Sequence, residues 1–157
     1  MKQFISRIKK AFSSSPRVEE IEKLPGFELK NQDGELVNSK DIENALIYFY
    51  PKSGTSGCTK QACGLRDSIE EFNELGIDVY GVSTDPIEKQ KEFHEENNLE
   101  FDILADPEGL AAERFGVLTK AGFAERTSFL VKNGEIVEVF RKVDPESHVK
   151  QVLECLD

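Results

Sequence analysis

The stretch ALIYFYPKSGTSGCTKQACGLRD, residues 45–67, decides the fold class. It opens with a continuous apolar run rich in β-branched and aromatic side chains, which is typical of a buried central strand, and Pro51 ends that run. A polar loop follows over residues 52–57. Apolar side chains then recur at helical spacing over residues 58–75. The stretch therefore predicts a strand, a loop and a helix that begins at Cys58.

Strands and helices continue to alternate on both sides of this stretch. The further predicted elements are a hairpin over residues 27–37, strands over residues 77–83, 101–104, 127–131 and 136–140, and helices over residues 86–97, 110–115 and 146–156. Alternation implies parallel crossovers, whereas the Asn133-Gly134 turn predicts an antiparallel hairpin near the end of the chain. The order predicts an α/β fold, a central mixed β-sheet flanked by helices with an N-terminal hairpin, and it is compatible with a thioredoxin-like fold.

Length and charge limit the classes of function. The chain has 157 residues, about the size of one compact domain, and a formal net charge of −10, which disfavours a general nucleic-acid binder. Residues 1–17 carry basic side chains and no acidic ones, so the acidic excess lies in the rest of the chain. We therefore predict a basic N-terminal extension over residues 1–17, either helical or disordered, and one domain over residues 18–157.

The basic extension has two open interpretations. Phe4, Ile5, Ile8 and Phe12 would line one face of a short helix that could contact an anionic membrane surface or the acidic domain. The simpler interpretation is a solvated segment. No uninterrupted apolar region follows the charges, so the segment does not resemble a secretory signal, and we expect a cytoplasmic protein.

Three cysteines, Cys58, Cys63 and Cys155, are too few for a disulfide-stapled scaffold. Cys58 lies at the start of the predicted helix, where unpaired amides and the helix dipole stabilise a thiolate, the form that attacks peroxides. In an intact helix the Cα atoms of Cys58 and Cys63 would be about 8–9 Å apart. A disulfide needs less than about 7 Å. Either the two cysteines are unrelated, or the helix unwinds after Cys58 is oxidised.

Other interpretations of the cysteines have less support. The C-x-x-C redox motif is absent, and a zinc site would need ligands from His94, His148 and Cys155, which are scattered along the chain. Two inert buried thiols remain an alternative from the residues alone.

The active-site stretch also carries a family resemblance. Pro51-x-x-x-Thr55-x-x-Cys58 is similar to the active-site signature of peroxiredoxins, and residues 57–67, GCTKQACGLRD, resemble the bacterioferritin comigratory protein (peroxiredoxin Q) branch. The resemblance extends from about Leu24 to the C-terminus. It implies a thioredoxin-like fold and the thiol-dependent reduction of hydrogen peroxide and alkyl hydroperoxides.

The resemblance implies a role for each matching residue. Cys58 would be the peroxidatic thiolate, which becomes a sulfenic acid. Thr55 would place its hydroxyl on the peroxide and the thiolate, and Pro51 would shield the sulfenic acid from water. Arg126, just before the strand predicted over residues 127–131, matches the arginine that stabilises the thiolate and orients the peroxide oxygens.

The resemblance also implies how the enzyme is recycled. Cys63 matches the resolving cysteine, which would form an intramolecular disulfide with Cys58 that thioredoxin or a similar dithiol reduces. No bound metal, haem or flavin is implied, and we expect a monomer, with a dimer as the alternative. Gln61 stands where many relatives carry glutamate, and a glutamine can still hydrogen-bond the arginine.

The remaining polar residues are given structural roles. We predict a helical ion pair or cap for Arg66 and Asp67 and solvated helix faces for His94 and His148. Cys155 is interpreted as a small apolar residue near the terminus, with a second resolving role or an intermolecular disulfide as its alternatives. The competing functions are a general thiol–disulfide oxidoreductase and a redox-responsive binding protein.

Overall fold

The computed structural model describes residues 21–156, and the predicted basic extension over residues 1–17 lies outside the described residues. The strands are β1 (Glu28–Asn31), β2 (Leu36–Asn38), β3 (Ala45–Phe49), β4 (Asp78–Ser83), β5 (Asp102–Ala105), β6 (Thr127–Lys132) and β7 (Glu135–Phe140). The helices are α1 (Ser56–Asp67), α2 (Ile69–Glu74), α3 (Ile87–Glu96), α4 (Leu110–Arg114) and α5 (His148–Leu156), with a short 3-10 turn at Ser39–Asp41. Within residues 21–156, no helix combines the length and the apolar character needed to cross a bilayer.

The seven strands form one mixed sheet in the order β2-β1-β5-β4-β3-β6-β7. Strand β3 pairs in parallel with β4 and antiparallel with β6, and β4 pairs in parallel with β5. The hairpins β1–β2 and β6–β7 are antiparallel, as the two turn sequences predict. The predicted mixed sheet with helices and an N-terminal hairpin is therefore confirmed.

Strand β3 is the centre of the core, and all its residues are buried. Alternate side chains of a strand point to opposite faces of the sheet. Leu46 and Tyr48 accordingly join a cluster with buried residues of α1, α2, α3 and α5, whereas Ile47 and Phe49 join a second cluster with residues of α4. Cys58 belongs to the first cluster, so the sheet positions the cysteine on its helix-rich face.

The single helix predicted over residues 58–75 is wrong in its extent. The structure has two helices, α1 and α2, joined at Ser68, whose φ of −108° and ψ of 11° are not helical. Apolar spacing runs unbroken through Ser68, because Leu65, Ile69 and Phe72 all pack on the same core, and the pattern therefore conceals the break. Helix α1 also begins at Ser56, so that Cys58 lies within its first turn.

Candidate active site

Cys58 lies in the first turn of α1, and its side chain is only 1% exposed. Thr55 precedes the helix in an extended conformation, and its side chain makes no capping hydrogen bond. The amides of a first helical turn lack partners within the helix and stabilise a nearby anion. The position therefore favours the thiolate form of Cys58 while it limits the access of water.

The loop that leads to Cys58 is fixed by a buried polar network. The hydroxyls of Tyr50 and Ser53 both donate to the Gln90 Oε1 atom, at 2.6 and 2.7 Å, and the Ser53 amide donates to Asp85 at 2.7 Å. The Gln90 side chain in turn donates to the Ser83 hydroxyl at 3.1 Å. Helix α3 and the end of β4 thus hold the loop in place.

Arg126 reaches Cys58 from the neighbouring strand. It directly precedes β6, whose first residue, Thr127, lies opposite Phe49 at the end of β3. The Arg126 Nη2 atom is 3.4 Å from Cys58 Sγ, and its Nη1 atom donates to Gln61 Oε1 at 2.7 Å. The guanidinium therefore lies beside the sulfur and is held there by the glutamine.

Gly57 makes room for this arginine. A β-carbon on Gly57 would lie 3.1 Å from Arg126 Nη2, which is tighter than an ordinary contact. The bare glycine lets the guanidinium approach the first turn of α1. Sequence reasoning on its own did not single out this residue.

The structure places Pro51 and Thr55 in the loop that leads to the helix of Cys58, and the Thr55 hydroxyl donates its hydrogen bond away from the sulfur. The Thr55 hydroxyl hydrogen is directed to the Lys52 carbonyl at 2.9 Å, so its oxygen lone pairs remain available as acceptors. Pro51 is half-buried directly after β3. Of the predicted site residues, Cys58 and Arg126 are in contact, whereas Thr55 and Pro51 lie in the chain segment between β3 and α1.

Cys63 is on the same helix, and its thiol is free and partly buried. Its Sγ atom donates to Asn97 Oδ1 at 3.6 Å, and Arg66 donates to the Asn97 carbonyl at 2.7 Å. Since α1 is continuous from Ser56 to Asp67, the Cα atoms of the two cysteines are about 8–9 Å apart, beyond the range of a disulfide. Cys63 also lines a surface groove of about 700 Å³ between α1 and α5.

His148 corrects the prediction of a solvated helix face. Its side chain is completely buried, with Nδ1 at 3.2 Å from Gln61 Nε2 and Nε2 at 2.7 Å from Ser128 Oγ. Burial, and secondarily the charge of Arg126, lower the pKa of His148 to about 4. Its spacing of four residues from the buried Val152 is a signal in the sequence that could have placed it on the inner face of α5.

The structure also shows where the other polar residues singled out in the sequence lie. Arg66 and Asp67 form the predicted ion pair at 3.0 Å. His94 is half-buried, with its Nε2 atom 3.1 Å from the Phe101 carbonyl, so its helix face is only partly solvated. Cys155, predicted to be a small apolar residue near the terminus, is a free and exposed thiol on α5.

Comparison with known proteins places this geometry in a family. The model of the AhpC/TSA family matches residues 21–139. Peroxiredoxin Bcp of Escherichia coli (strain K12) is 42% identical over 142 residues, which cover 84% of this chain and 91% of that protein. Peroxiredoxin Bcp of Bacillus subtilis (strain 168) is 42% identical over 145 residues, which cover 86% of this chain and 92% of that protein.

Solved structures show the same fold. Peroxidoxin BcpB from Mycobacterium tuberculosis superposes with a TM-score of 0.78 at 31% identity, covering 85% of this chain and 93% of that one. A structure of the Xanthomonas campestris bacterioferritin comigratory protein, described as a trapped intermediate/ligand complex with alkyl peroxide reduction activity, gives a TM-score of 0.79 at 26% identity. It covers 83% of this chain and 89% of that one.

Proposed function

Because the chain belongs to the AhpC/TSA family and is a peroxiredoxin, a thiol peroxidase, we propose that Cys58 is the thiol that attacks the peroxide. We further propose that Cys63 resolves the oxidised sulfur and that a dithiol protein such as thioredoxin recycles the enzyme. We also assign the catalytic domain to residues 18–157 and treat residues 1–17 as a separate basic extension.

One observation carries the assignment of Cys58. Its buried sulfur lies in the first turn of α1 with Arg126 Nη2 at 3.4 Å. The helix terminus and the guanidinium both favour a negative sulfur, and an arginine can also hydrogen-bond the oxygens of a bound peroxide. Neither Cys63, whose thiol faces Asn97, nor the exposed Cys155 has such surroundings.

The first step is a nucleophilic displacement. The Cys58 thiolate attacks one peroxide oxygen, an S–O bond forms and the O–O bond breaks. The leaving oxygen carries the electron pair away and takes a proton to become water or an alcohol, and Cys58 is left as a sulfenic acid. Arg126 donates hydrogen bonds to the charge that develops on the leaving oxygen, which is electrostatic stabilisation of the transition state.

Thr55 and Pro51 complete the proposed pocket. The Thr55 oxygen is free to accept a hydrogen bond from the hydroperoxide while its hydrogen remains on the Lys52 carbonyl. Pro51 has no amide hydrogen and covers the approach to the sulfur, which limits the reaction of the sulfenic acid with water.

The second step needs local unfolding of α1. The Cys63 thiol gives up its proton and attacks the Cys58 sulfur, an S–S bond forms, and the S–O bond breaks, so that the leaving hydroxide takes up a proton and departs as water. Because the two cysteines are out of range in the intact helix, the first turns of α1 must unwind before this step. A dithiol protein then reduces the disulfide by thiol exchange and itself becomes oxidised.

Hydrogen peroxide and alkyl hydroperoxides are the proposed substrates. The alkyl peroxide reduction described for the Xanthomonas campestris relative supports the second class. We propose a monomer that acts in the cytoplasm, where a thiol reductant is available. A dimer is the alternative that sedimentation of the reduced protein would reveal.

Steady-state turnover of three cysteine variants tests the proposal. With thioredoxin and its reductase as donor, Cys58→Ser is expected to abolish peroxide reduction. Cys63→Ser is expected to lose multiple turnovers while reduced Cys58 still reacts once with peroxide. Cys155→Ser is the matched control and is expected to keep full activity. Full steady-state activity in Cys63→Ser would contradict the intramolecular scheme.

A further inference from the structure

We propose that His148 is a positioning residue for peroxide reduction: it fixes the orientation of the Gln61 amide and thereby holds the Arg126 guanidinium beside Cys58. The inference rests on the proposed role of Cys58. It concerns a residue on the last helix of the chain that makes no contact with the sulfur itself.

Gln61 connects His148 to the active site, and Ser128 is the partner of the other ring nitrogen of His148. Arg126 Nη1 donates to Gln61 Oε1 at 2.7 Å, and Gln61 Nε2 lies 3.2 Å from His148 Nδ1. His148 Nε2 lies 2.7 Å from Ser128 Oγ. Gln61, His148 and Ser128 are all completely buried, so water does not compete for these bonds.

The direction of each bond follows from the arginine. A guanidinium only donates, so Gln61 must present its oxygen to Arg126 and its NH₂ group to His148. His148 Nδ1 must therefore be an unprotonated acceptor, and the hydrogen of the neutral ring lies on Nε2, where it donates to Ser128. The lowered pKa of His148, about 4, is consistent with a neutral ring at physiological pH.

This arrangement selects one orientation of the glutamine. If the Gln61 amide turned over, its NH₂ group would face the Arg126 guanidinium, donor against donor, and its oxygen would face the His148 lone pair. The contact with Arg126 would be repulsive in a buried site, and the contact with His148 would become a hydrogen bond only if the ring hydrogen moved from Nε2 to Nδ1. An apolar residue at position 148 would leave the Gln61 NH₂ group without its acceptor. Only Arg126 would then hold the amide in this orientation.

The bonds also form a closed circuit between three elements of the fold. Arg126 and Ser128 belong to the same chain segment at the start of β6, Gln61 belongs to α1 and His148 belongs to α5. Arg126 is the charged side chain in this circuit. The Tyr48 ring is an aromatic neighbour of His148, with 6.1 Å between the two ring centroids. Since Gln61 is hydrogen-bonded to both Arg126 and His148, loss of the His148 acceptor frees the amide that holds the guanidinium.

The test compares three variants of the full chain. H148L removes the acceptor and the donor, whereas H148N keeps a hydrogen-bond acceptor near the place of Nδ1. V152A, a cavity on the same buried face of α5, is the matched control for lost packing. We expect H148L to react with hydrogen peroxide about tenfold more slowly in stopped flow. H148N and V152A are expected to stay within about threefold of the unmodified chain.

Two outcomes would overturn the inference. One is an H148L rate equal to that of the unmodified chain, and the other is an equal loss of rate in H148L and V152A. Nitrogen-15 NMR of the unmodified protein supplies a test that needs no variant: hydrogen on His148 Nε2 supports the inference, and hydrogen on Nδ1 overturns it. Slow oxidation of the unmodified protein itself would instead contradict the proposed function of Cys58, so the two failures are distinguishable.

Discussion

The Nη2 atom of Arg126 lies 3.4 Å from the Sγ atom of Cys58. This contact joins the start of β6 to the first turn of α1, and it exists because two other residues permit it. Gln61 accepts a hydrogen bond from the other guanidinium nitrogen, and Gly57 leaves the space that a side chain would fill. The chemistry of the site therefore depends on residues that do not themselves react.

Gly57→Ala is expected to slow the reaction with peroxide without lowering the thermal stability of the protein. The added methyl group would lie 3.1 Å from Arg126 Nη2 and would displace the guanidinium, so peroxide oxidation of Cys58 should slow about tenfold or more. Alanine is a better helix former than glycine by about 0.5–1 kcal/mol, so thermal unfolding should not occur earlier.

Gly64→Ala is the matched control for this variant. Gly64 lies on the same helix, but its added methyl would meet Val149 at 3.3 Å and not the arginine. We expect an unchanged oxidation rate. An unchanged peroxide rate in Gly57→Ala would show that the position of Arg126 does not depend on this glycine.

Asn97→Ala is expected to accelerate disulfide formation. Asn97 Oδ1 accepts a hydrogen bond from Cys63, and this bond must break before Cys63 can reach the oxidised Cys58. Its loss should lower the cost of unwinding by about 1 kcal/mol, or about fivefold in rate. Rapid-quench mass spectrometry after one equivalent of peroxide measures the disulfide, and overoxidation of Cys58 in excess peroxide should decrease.

Asp67→Ala is the control for the resolving step. Asp67 is exposed and forms its ion pair and hydrogen bond with Arg66 on the same helix. Its removal should leave the rate of disulfide formation unchanged. Slower disulfide formation in Asn97→Ala would mean that the asparagine guides Cys63 rather than restrains it.

The stability of the fold should decrease in acid because of His148. Burial lowers the pKa of His148 in the folded protein from 6.5 to about 4, so the unfolded chain takes up the proton first. Its contribution to stability is complete above pH 6.5 and is lost as the pH falls toward 4, by about 3 kcal/mol. Urea unfolding across this range measures the loss.

Comparison of the unmodified protein with H148L isolates the contribution of His148 to the pH dependence of stability. Burial raises the pKa of Asp106, which acts in the opposite direction, but this carboxyl is present in both proteins and cancels. The stability of the unmodified protein relative to that of H148L should fall as the pH falls from 6.5 toward 4. A difference that stays constant from pH 6.5 to about 4 would contradict a buried neutral His148.

Tyr48→Phe is expected to stabilise the protein. The Tyr48 hydroxyl is fully buried and finds no hydrogen-bond partner among residues 21–156, and burial raises its pKa well above the usual value. Removal of an unpaired buried hydroxyl should increase the free energy of unfolding by about 1 kcal/mol. Chemical denaturation tests this, and a loss of stability would indicate that the hydroxyl has a partner such as bound water.

Much of the fold follows from local patterns, but its tertiary details do not. The apolar run of residues 45–50 and the Asn133-Gly134 turn predict elements that the structure confirms, because burial and turn geometry act over short distances. The break at Ser68 was missed because the apolar spacing on both sides suits one helix. The burial of His148 was missed because its partners, Gln61 and Ser128, are distant in sequence and lie on other elements.

The candidate site was predictable only where a motif marks it. The helix-start position of Cys58 follows from the residues alone. The place of Arg126 was expected from the family resemblance, since spacing gives no reason for it to meet Cys58. Gly57 and Asn97 act through contacts of a few ångströms that composition and periodicity do not encode.

The most direct test of the central claim is oxidation of the fully reduced full-length chain by one equivalent of hydrogen peroxide, followed in stopped flow and by peptide mass spectrometry. The account predicts rapid, stoichiometric loss of two hydrogens, mapped to a bond between Cys58 and Cys63. Oxidation no faster than that of a free thiol, or a disulfide that involves Cys155 in place of either residue, would contradict it.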